Sequence, residues 1–144
     1  MTLYAQALDR KDGVLFARAW TPDATAAYAH RPPLTGFDQI VASIRRDVEP
    51  LDASQHHMGS FLVGIDGAKA TLECYVIAHH IRFEAEGGTW FQTGARYENR
   101  AVRTGDGWRL VHLSTHRMWT AGNPRVLEHI GLSRGAWEGS DRAS

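Results

Sequence analysis

The apolar residues change their spacing at Pro50, and this change constrains the fold more than any other feature of the sequence. Before Pro50 they recur every three or four residues, the period of an amphipathic helix. After Pro50 come four long runs of strand-forming residues, at 60–65, 68–83, 89–103 and 108–119. The breaks between these runs are Gly-containing segments typical of hairpin turns. Consecutive hairpins predict an antiparallel meander of four strands.

The segment before Pro50 predicts three helices and one short strand. Two short helices flank a turn at residues 9–13, and the second ends near Pro22, because proline cannot continue a helix. A strand is expected at residues 25–29, and a third helix at 37–48. Three helices followed by a meander predict an α+β domain in which the helices cover one face of a curved sheet.

Length and composition fit one globular domain of 144 residues, with 16 basic and 16 acidic side chains. A net charge of zero argues against a nucleic-acid or membrane-surface partner. The chain has neither a long apolar run nor a secretory leader, so we expect a cytoplasmic protein. Cys74 is the only cysteine, which excludes an internal disulfide and a Cys-based metal site. We expect a folded domain over residues 1–122 and a tail over 123–144, helical at 125–130 and then mobile.

Histidine is the residue type with most chemical potential here, because its proton exchanges near neutral pH. Four of the 8 histidines in the sequence form two adjacent pairs, at 56–57 and 79–80. Neighbouring residues on a strand point to opposite faces, so one ring of each pair faces the interior. Asp9 closes the first helix beside the apolar stripe that includes Tyr4. An Asp9 carboxylate bonded to one such ring would create a general base, whereas an exposed acid at the helix end is the alternative.

Seven short motifs follow one another along the chain. They are Tyr4-x-x-x-x-Asp9, Ala19-Trp20-Thr21-Pro22-Asp23-Ala24, Leu34-Thr35-Gly36, His56-His57-Met58-Gly59, residues 70–80, Gly94-x-x-Tyr97 and Gly107-Trp108-Arg109-Leu110. Together they resemble the SnoaL-like group of the nuclear-transport-factor-2-like superfamily, over roughly residues 1–122. The resemblance implies a cone-shaped α+β barrel, in which a curved antiparallel sheet packs on three N-terminal helices.

Within that superfamily the chain most resembles the cofactor-free lyases, such as hexachlorocyclohexane dehydrochlorinase, bile-acid 7α-dehydratase and scytalone dehydratase. This resemblance implies that Asp9 orients His57 as the catalytic base, and that Tyr4 points into the cavity. It also implies a dehydratase-like elimination without a cofactor, acting on a small hydrophobic or polycyclic substrate. Candidate substrate-binding residues are Trp20, Phe37, His80, Trp90 and Trp119.

One departure from those lyases concerns the last hairpin, where Leu113 stands in place of an arginine that helps the leaving group depart. Loss of that cation argues against a halide leaving group. A ketosteroid-isomerase-like or polyketide-cyclase-like reaction using the same base therefore stays open, as does a non-catalytic module that binds a small ligand. A third alternative is a metal site formed by His57 and His80 with His112 or His116.

The outer face of the second long strand run predicts self-association. Tyr75, Ile77 and Ile81 share a strand face with Glu73, which leaves a partly apolar stripe on the convex side of the sheet. We therefore expect a homo-oligomer, with three subunits favoured over two because the related lyases are often trimers.

Overall fold

The order of helices and strands agrees with the order predicted from the change in apolar spacing at Pro50. The computed structural model describes residues 1–130. The helices are α1 (Thr2–Arg10), α2 (Gly13–Ala17) and α3 (Phe37–Val48). The strands are β1 (Trp20–Ala27), β2 (Leu34–Thr35), β3 (Ala53–Asp66), β4 (Lys69–Ile81), β5 (Trp90–Thr104) and β6 (Gly107–Gly122), followed by a 3₁₀ helix at Pro124–Ile130. The α+β class is confirmed. The tail expected to be mobile lies outside the described residues after 130.

The sheet has the order β2-β1-β6-β5-β4-β3, and β3 to β6 form the predicted antiparallel meander. The predicted curved antiparallel sheet contains one exception, because β1 runs parallel to β6. Strand β1 also begins at Trp20, before the proline that was expected to end a helix. Its register shifts between Trp20 and Thr25, so Pro22 sits where the ladder is interrupted and its missing N–H breaks no hydrogen bond.

The helices pack on the concave face of the sheet around an aromatic cluster. Tyr4, Phe16 and Trp20 contact one another with ring centroids 5.7 to 6.0 Å apart. A second, smaller core forms where the 3₁₀ helix packs on the sheet, and it contains Leu51, Ala85, Phe91, Val126 and Leu127. No helix within residues 1–130 is long and apolar enough to cross a membrane.

The first half of β3 alternates strictly between the two faces of the sheet. Ser54, His56 and Met58 are partly buried on the concave side, whereas Gln55 and His57 are exposed. This alternation decides which histidine of the pair at 56–57 meets helix α1.

Candidate active site

The carboxylate of Asp9 receives three hydrogen bonds from strand β3. The His56 ring nitrogen Nδ1 lies 2.7 Å from Asp9 Oδ1, the backbone N–H of His56 donates to Oδ2 at 2.9 Å, and the Ser54 hydroxyl donates to Oδ1 at 3.1 Å. Burial raises the pKa of Asp9, but these hydrogen bonds and the charge of His56 lower it more, so that it lies below its ordinary value of 3.8. Asp9 is therefore an anion at neutral pH that holds His56 in one orientation.

The expected pair of Asp9 with His57 does not form. His57 is exposed on the outer face of β3, whereas only 7% of the His56 side chain is exposed. The physical reason is the alternation of strand residues, which places either histidine, but never both, against α1. Met58 indicates which of the two histidines faces the core. It is apolar and lies two positions from His56 on the strand, so His56 shares its core-facing side.

His80 lines the same cavity as His56, on the neighbouring strand β4. The two rings meet edge to face, with centroids 5.8 Å apart and planes at 89°. Burial, first of all, and the neighbouring His56 ring lower the pKa of His80 to about 3. Its Nδ1 is shielded from solvent, and a hydrogen bond with the Phe91 backbone opposes this lowering of the pKa. A neutral His80 thus stands beside His56 in the wall of the cavity.

Tyr4 also lines the cavity, as predicted, and its hydroxyl lies 3.2 Å from that of Tyr28. Burial raises the pKa of both hydroxyls, so both keep their protons at neutral pH. Two hydroxyls that share one hydrogen bond have a second O–H left to donate. Sequence reasoning missed Tyr28, although it follows Ala24 and Ala26 at the two-residue spacing of buried strand residues.

A cationic group lies at the end of the cavity formed by β6 and the segment after β1. Arg117 of β6 and His30 line this end, and their proximity appears in the pKa of His30, which burial, Arg31 and Arg117 lower to about 4. Leu113, the position at which the resemblance implied an arginine, is completely buried in the core. The cation of this cavity therefore lies on β6 four residues beyond the position that the resemblance implied.

The aromatic residues expected to line the cavity lie elsewhere. Trp20 is a core residue packed on Tyr4, and Phe37 packs on Phe16 with centroids 6.1 Å apart. Trp90 and Trp119 are 45% and 41% exposed, and each indole covers a glycine, at positions 122 and 94 respectively. A glycine provides a flat surface for an indole, so these two rings pack on the sheet exterior instead of entering the cavity. Of the five candidate substrate-binding residues, only His80 contacts the cavity.

The cavity encloses about 120 Å³ between the concave face of the sheet and helices α1 and α3. Apolar and aromatic side chains form much of its wall, and the polar groups cluster at two ends. One end holds the His56 ring with Asp9 behind it, and the other holds Arg117. This arrangement, a base at one end and a cation at the other within an apolar chamber, suits proton transfer from a bound carbon acid.

The histidines considered for a metal site do not converge. His80 faces the cavity, whereas His57 and His116 are exposed on the outer face and His112 bonds Thr25 beside β1. Within the part of the chain that the structure describes, no group of three or more His, Cys, Asp or Glu side chains is placed to hold a metal ion.

Comparison with known proteins establishes the family. The SnoaL-like domain model matches residues 1–114, so the chain belongs to the SnoaL-like family. A search of curated proteins finds no sequence match.

Solved structures share the same fold. The protein Kfla4162 from Kribbella flavida is 26% identical, with a TM-score of 0.80 over 87% of this chain and 90% of that chain. A putative scytalone dehydratase from Novosphingobium aromaticivorans is 17% identical, with a TM-score of 0.75 over 83% and 80%. A nuclear transport factor 2-like protein from Salmonella enterica is 17% identical, with a TM-score of 0.73 over 84% and 87%. The chain therefore has the nuclear-transport-factor-2-like fold.

Proposed function

We propose that this protein is a cofactor-independent lyase of the dehydratase kind, in which His56, oriented by Asp9, removes a proton from a carbon next to a carbonyl group. The observation that carries the proposal is the 2.7 Å contact between His56 Nδ1 and Asp9 Oδ1 at the wall of an apolar cavity. Similarity to a putative scytalone dehydratase agrees with this chemistry. His56 thus has the role of catalytic base that the family resemblance implied for His57.

The Asp9 contact determines which ring nitrogen of His56 acts. A carboxylate accepts a hydrogen bond, so Nδ1 carries the proton and Nε2 keeps its lone pair for the substrate. When Nε2 takes the proton, the imidazolium is stabilised by the adjacent Asp9 anion. General-base catalysis of this kind contributes roughly 10²- to 10⁴-fold in rate.

The elimination completes when the bond to a β-hydroxyl breaks. The electrons of the C–H bond form the new carbon–carbon double bond, and the hydroxyl leaves as water with the proton that His56 Nε2 took from carbon, so that His56 returns to its neutral form. The Tyr4–Tyr28 pair has an O–H left to donate, either to the leaving oxygen or to the carbonyl oxygen that gains charge.

The volume of the cavity favours a small substrate. Engineered cavities of ~150 Å³ accommodate benzene, so the 120 Å³ present here suits a ligand of about one ring and is too small for the polycyclic substrate considered from sequence. Apolar wall residues such as Leu8, Ile44 and Ala78 are suited to such a ring.

The test uses 3-hydroxycyclohexanone, a one-ring β-hydroxy ketone, in D₂O. Conversion to cyclohexenone reports elimination, and uptake of deuterium next to the carbonyl reports proton abstraction alone. The wild-type protein is expected to accelerate both, and His56→Gln to lower both rates by about 100-fold or more. His57→Gln is the matched control, because it removes a neighbouring but exposed imidazole.

Each outcome of this test selects a reaction class. Deuterium uptake without elimination would indicate isomerase or cyclase chemistry with the same base. Equal rates for wild type and His56→Gln, across a panel of one-ring β-hydroxy ketones, would contradict the proposed base and favour a module that only binds its ligand.

We also propose that the protein self-associates, with three subunits favoured. Tyr75 and Ile77 on the outer face of β4 are 53% and 43% exposed. Strand β3 forms the adjacent edge of the sheet and exposes Phe61, Leu62, Val63 and Ile65. An apolar edge strand beside an apolar face is a surface that folded proteins usually cover.

A further inference from the structure

The end of the cavity opposite the dyad is built from four polar side chains. They are His30, Arg31, Asp47 and Arg117, and all but Arg31 line the cavity. Arg31 donates to Asp47 and to Ser43, and its guanidinium lies over the Tyr28 ring at 5.4 Å. Arg31 is thus a structural partner of Asp47, and the Arg117 guanidinium lies at the same end of the cavity.

The donors at this end are prearranged. His30 Nε2 accepts a hydrogen bond from Arg31 Nε at 3.0 Å, so a neutral His30 carries its proton on Nδ1. The backbone N–H of Ala29 donates to the Thr115 hydroxyl at 3.0 Å, which leaves the proton of that hydroxyl to be donated elsewhere. Arg117 has five N–H donors and can serve a protein partner and a ligand together.

This end of the cavity and the proposed base, His56, lie on different strands of the sheet. His56 lies on β3 and Arg117 on β6, and strands β4 and β5 lie between them in the sheet. Both side chains line the cavity, so a compound with a single ring fits between them. A substituent on the far side of the ring from the reacting carbon would therefore meet Arg117.

We infer that Arg117, with His30 and Thr115, binds an anionic substituent of the substrate, most simply a carboxylate, and so selects acidic one-ring compounds. A planar guanidinium suits a carboxylate because two parallel N–H donors match its two oxygens. The anion site itself requires no turnover, so this inference rests on the proposed function only in treating the bound compound as a substrate.

The experiment measures binding of benzoate and of the neutral isostere benzamide by ligand-observed NMR and calorimetry. Wild type is expected to bind benzoate at least about tenfold more tightly than benzamide. Arg117→Gln should remove this preference and leave benzamide binding within about twofold, while Arg117→Lys should retain part of it. Arg100→Gln, which removes an exposed arginine from the outer face of β5, is the charge-matched control and should behave as wild type.

His56→Gln separates this inference from the proposed function. It should keep the preference for benzoate although it loses proton abstraction. Equal binding of benzoate and benzamide by wild type, or a preference that survives Arg117→Gln, overturns the anion site. Loss of the preference in His56→Gln but not in Arg117→Gln also overturns it, because the anion would then bind at the dyad. Circular dichroism of each variant verifies that it is folded.

Discussion

Asp9 is the residue on which the candidate site depends, because one carboxylate fixes both a side chain and the backbone of strand β3. Its lowered pKa means that the folded protein binds the carboxyl proton less tightly than the unfolded chain does. The resulting stabilisation is complete above the ordinary value of 3.8, and it is lost as the pH falls through the lower folded-state pKa.

Asp9→Asn should therefore weaken the dependence of stability on pH in acid. At neutral pH we expect the substitution to cost about 1–3 kcal/mol in free energy of unfolding, since hydrogen bonds to a charged acceptor are lost. Below pH 4 the difference between wild type and variant should shrink. Urea unfolding at pH 7 and at pH 3 measures both quantities, and a difference that stays constant would contradict the assignment.

His80 predicts a second pH effect of a different origin. Its folded-state pKa of about 3 lies below the ordinary value of 6.5, so the unfolded chain binds the proton more readily at intermediate pH. Stability is therefore complete above pH 6.5 and falls as the pH decreases toward 3, by about 2 kcal/mol between pH 7 and pH 5. His30, with a pKa of about 4, adds an effect in the same direction.

His80→Phe isolates the His80 contribution, because phenylalanine fills similar space and does not titrate. The loss of unfolding free energy between pH 7 and pH 5 should be roughly 2 kcal/mol smaller in this variant than in wild type. An unchanged pH slope would mean that His80 is protonated as easily in the folded protein as in water.

At the scale of elements, the spacing of apolar residues was the most informative sequence signal. The direction of individual side chains was the feature that the sequence predicted least well. The meander and the three helices follow from local spacing and turn residues. The parallel pairing of β1 with β6 joins segments about ninety residues apart, which no local pattern reports. In the site, Asp9 and Tyr4 were identified from the helix stripe and the family motif, whereas choosing between His56 and His57 required the register of β3 against α1.

The 3₁₀ helix at Pro124–Ile130 offers a stability test at this scale. Leu127 is 4% exposed in the second core and also lines the cavity. Leu127→Ala should lower the free energy of unfolding by about 2–5 kcal/mol, because it leaves a void in a packed cluster. Glu128→Ala, on the exposed side of the same helix, should change it by less than about 1 kcal/mol. Comparable effects of the two substitutions in urea unfolding would show that the helix does not pack as described.

At the scale of the whole molecule, the exposed apolar strand edge predicts an assembly. The chain has a mass of 16.0 kDa, so a trimer would have a mass of about 48 kDa in light scattering coupled to gel filtration. Leu62→Glu combined with Ile77→Glu should shift this mass toward the monomer, because charged residues would then face the interface. Met118→Glu places the same charge on an exposed residue of β6 and serves as a comparison. A wild-type mass of 16 kDa at micromolar concentration would contradict self-association.

The whole arrangement places a base and a cation at opposite ends of one chamber, and its central claim is that Asp9 holds His56 with the proton on Nδ1. Side-chain ¹⁵N NMR of the histidines measures this directly. We predict a protected Nδ1–H and an unprotonated Nε2 for His56 at neutral pH, with the preference lost in Asp9→Asn, and a rapidly exchanging, solvent-exposed ring for His57. A protected Nδ1–H on His57, or a proton on Nε2 of His56, would contradict the account.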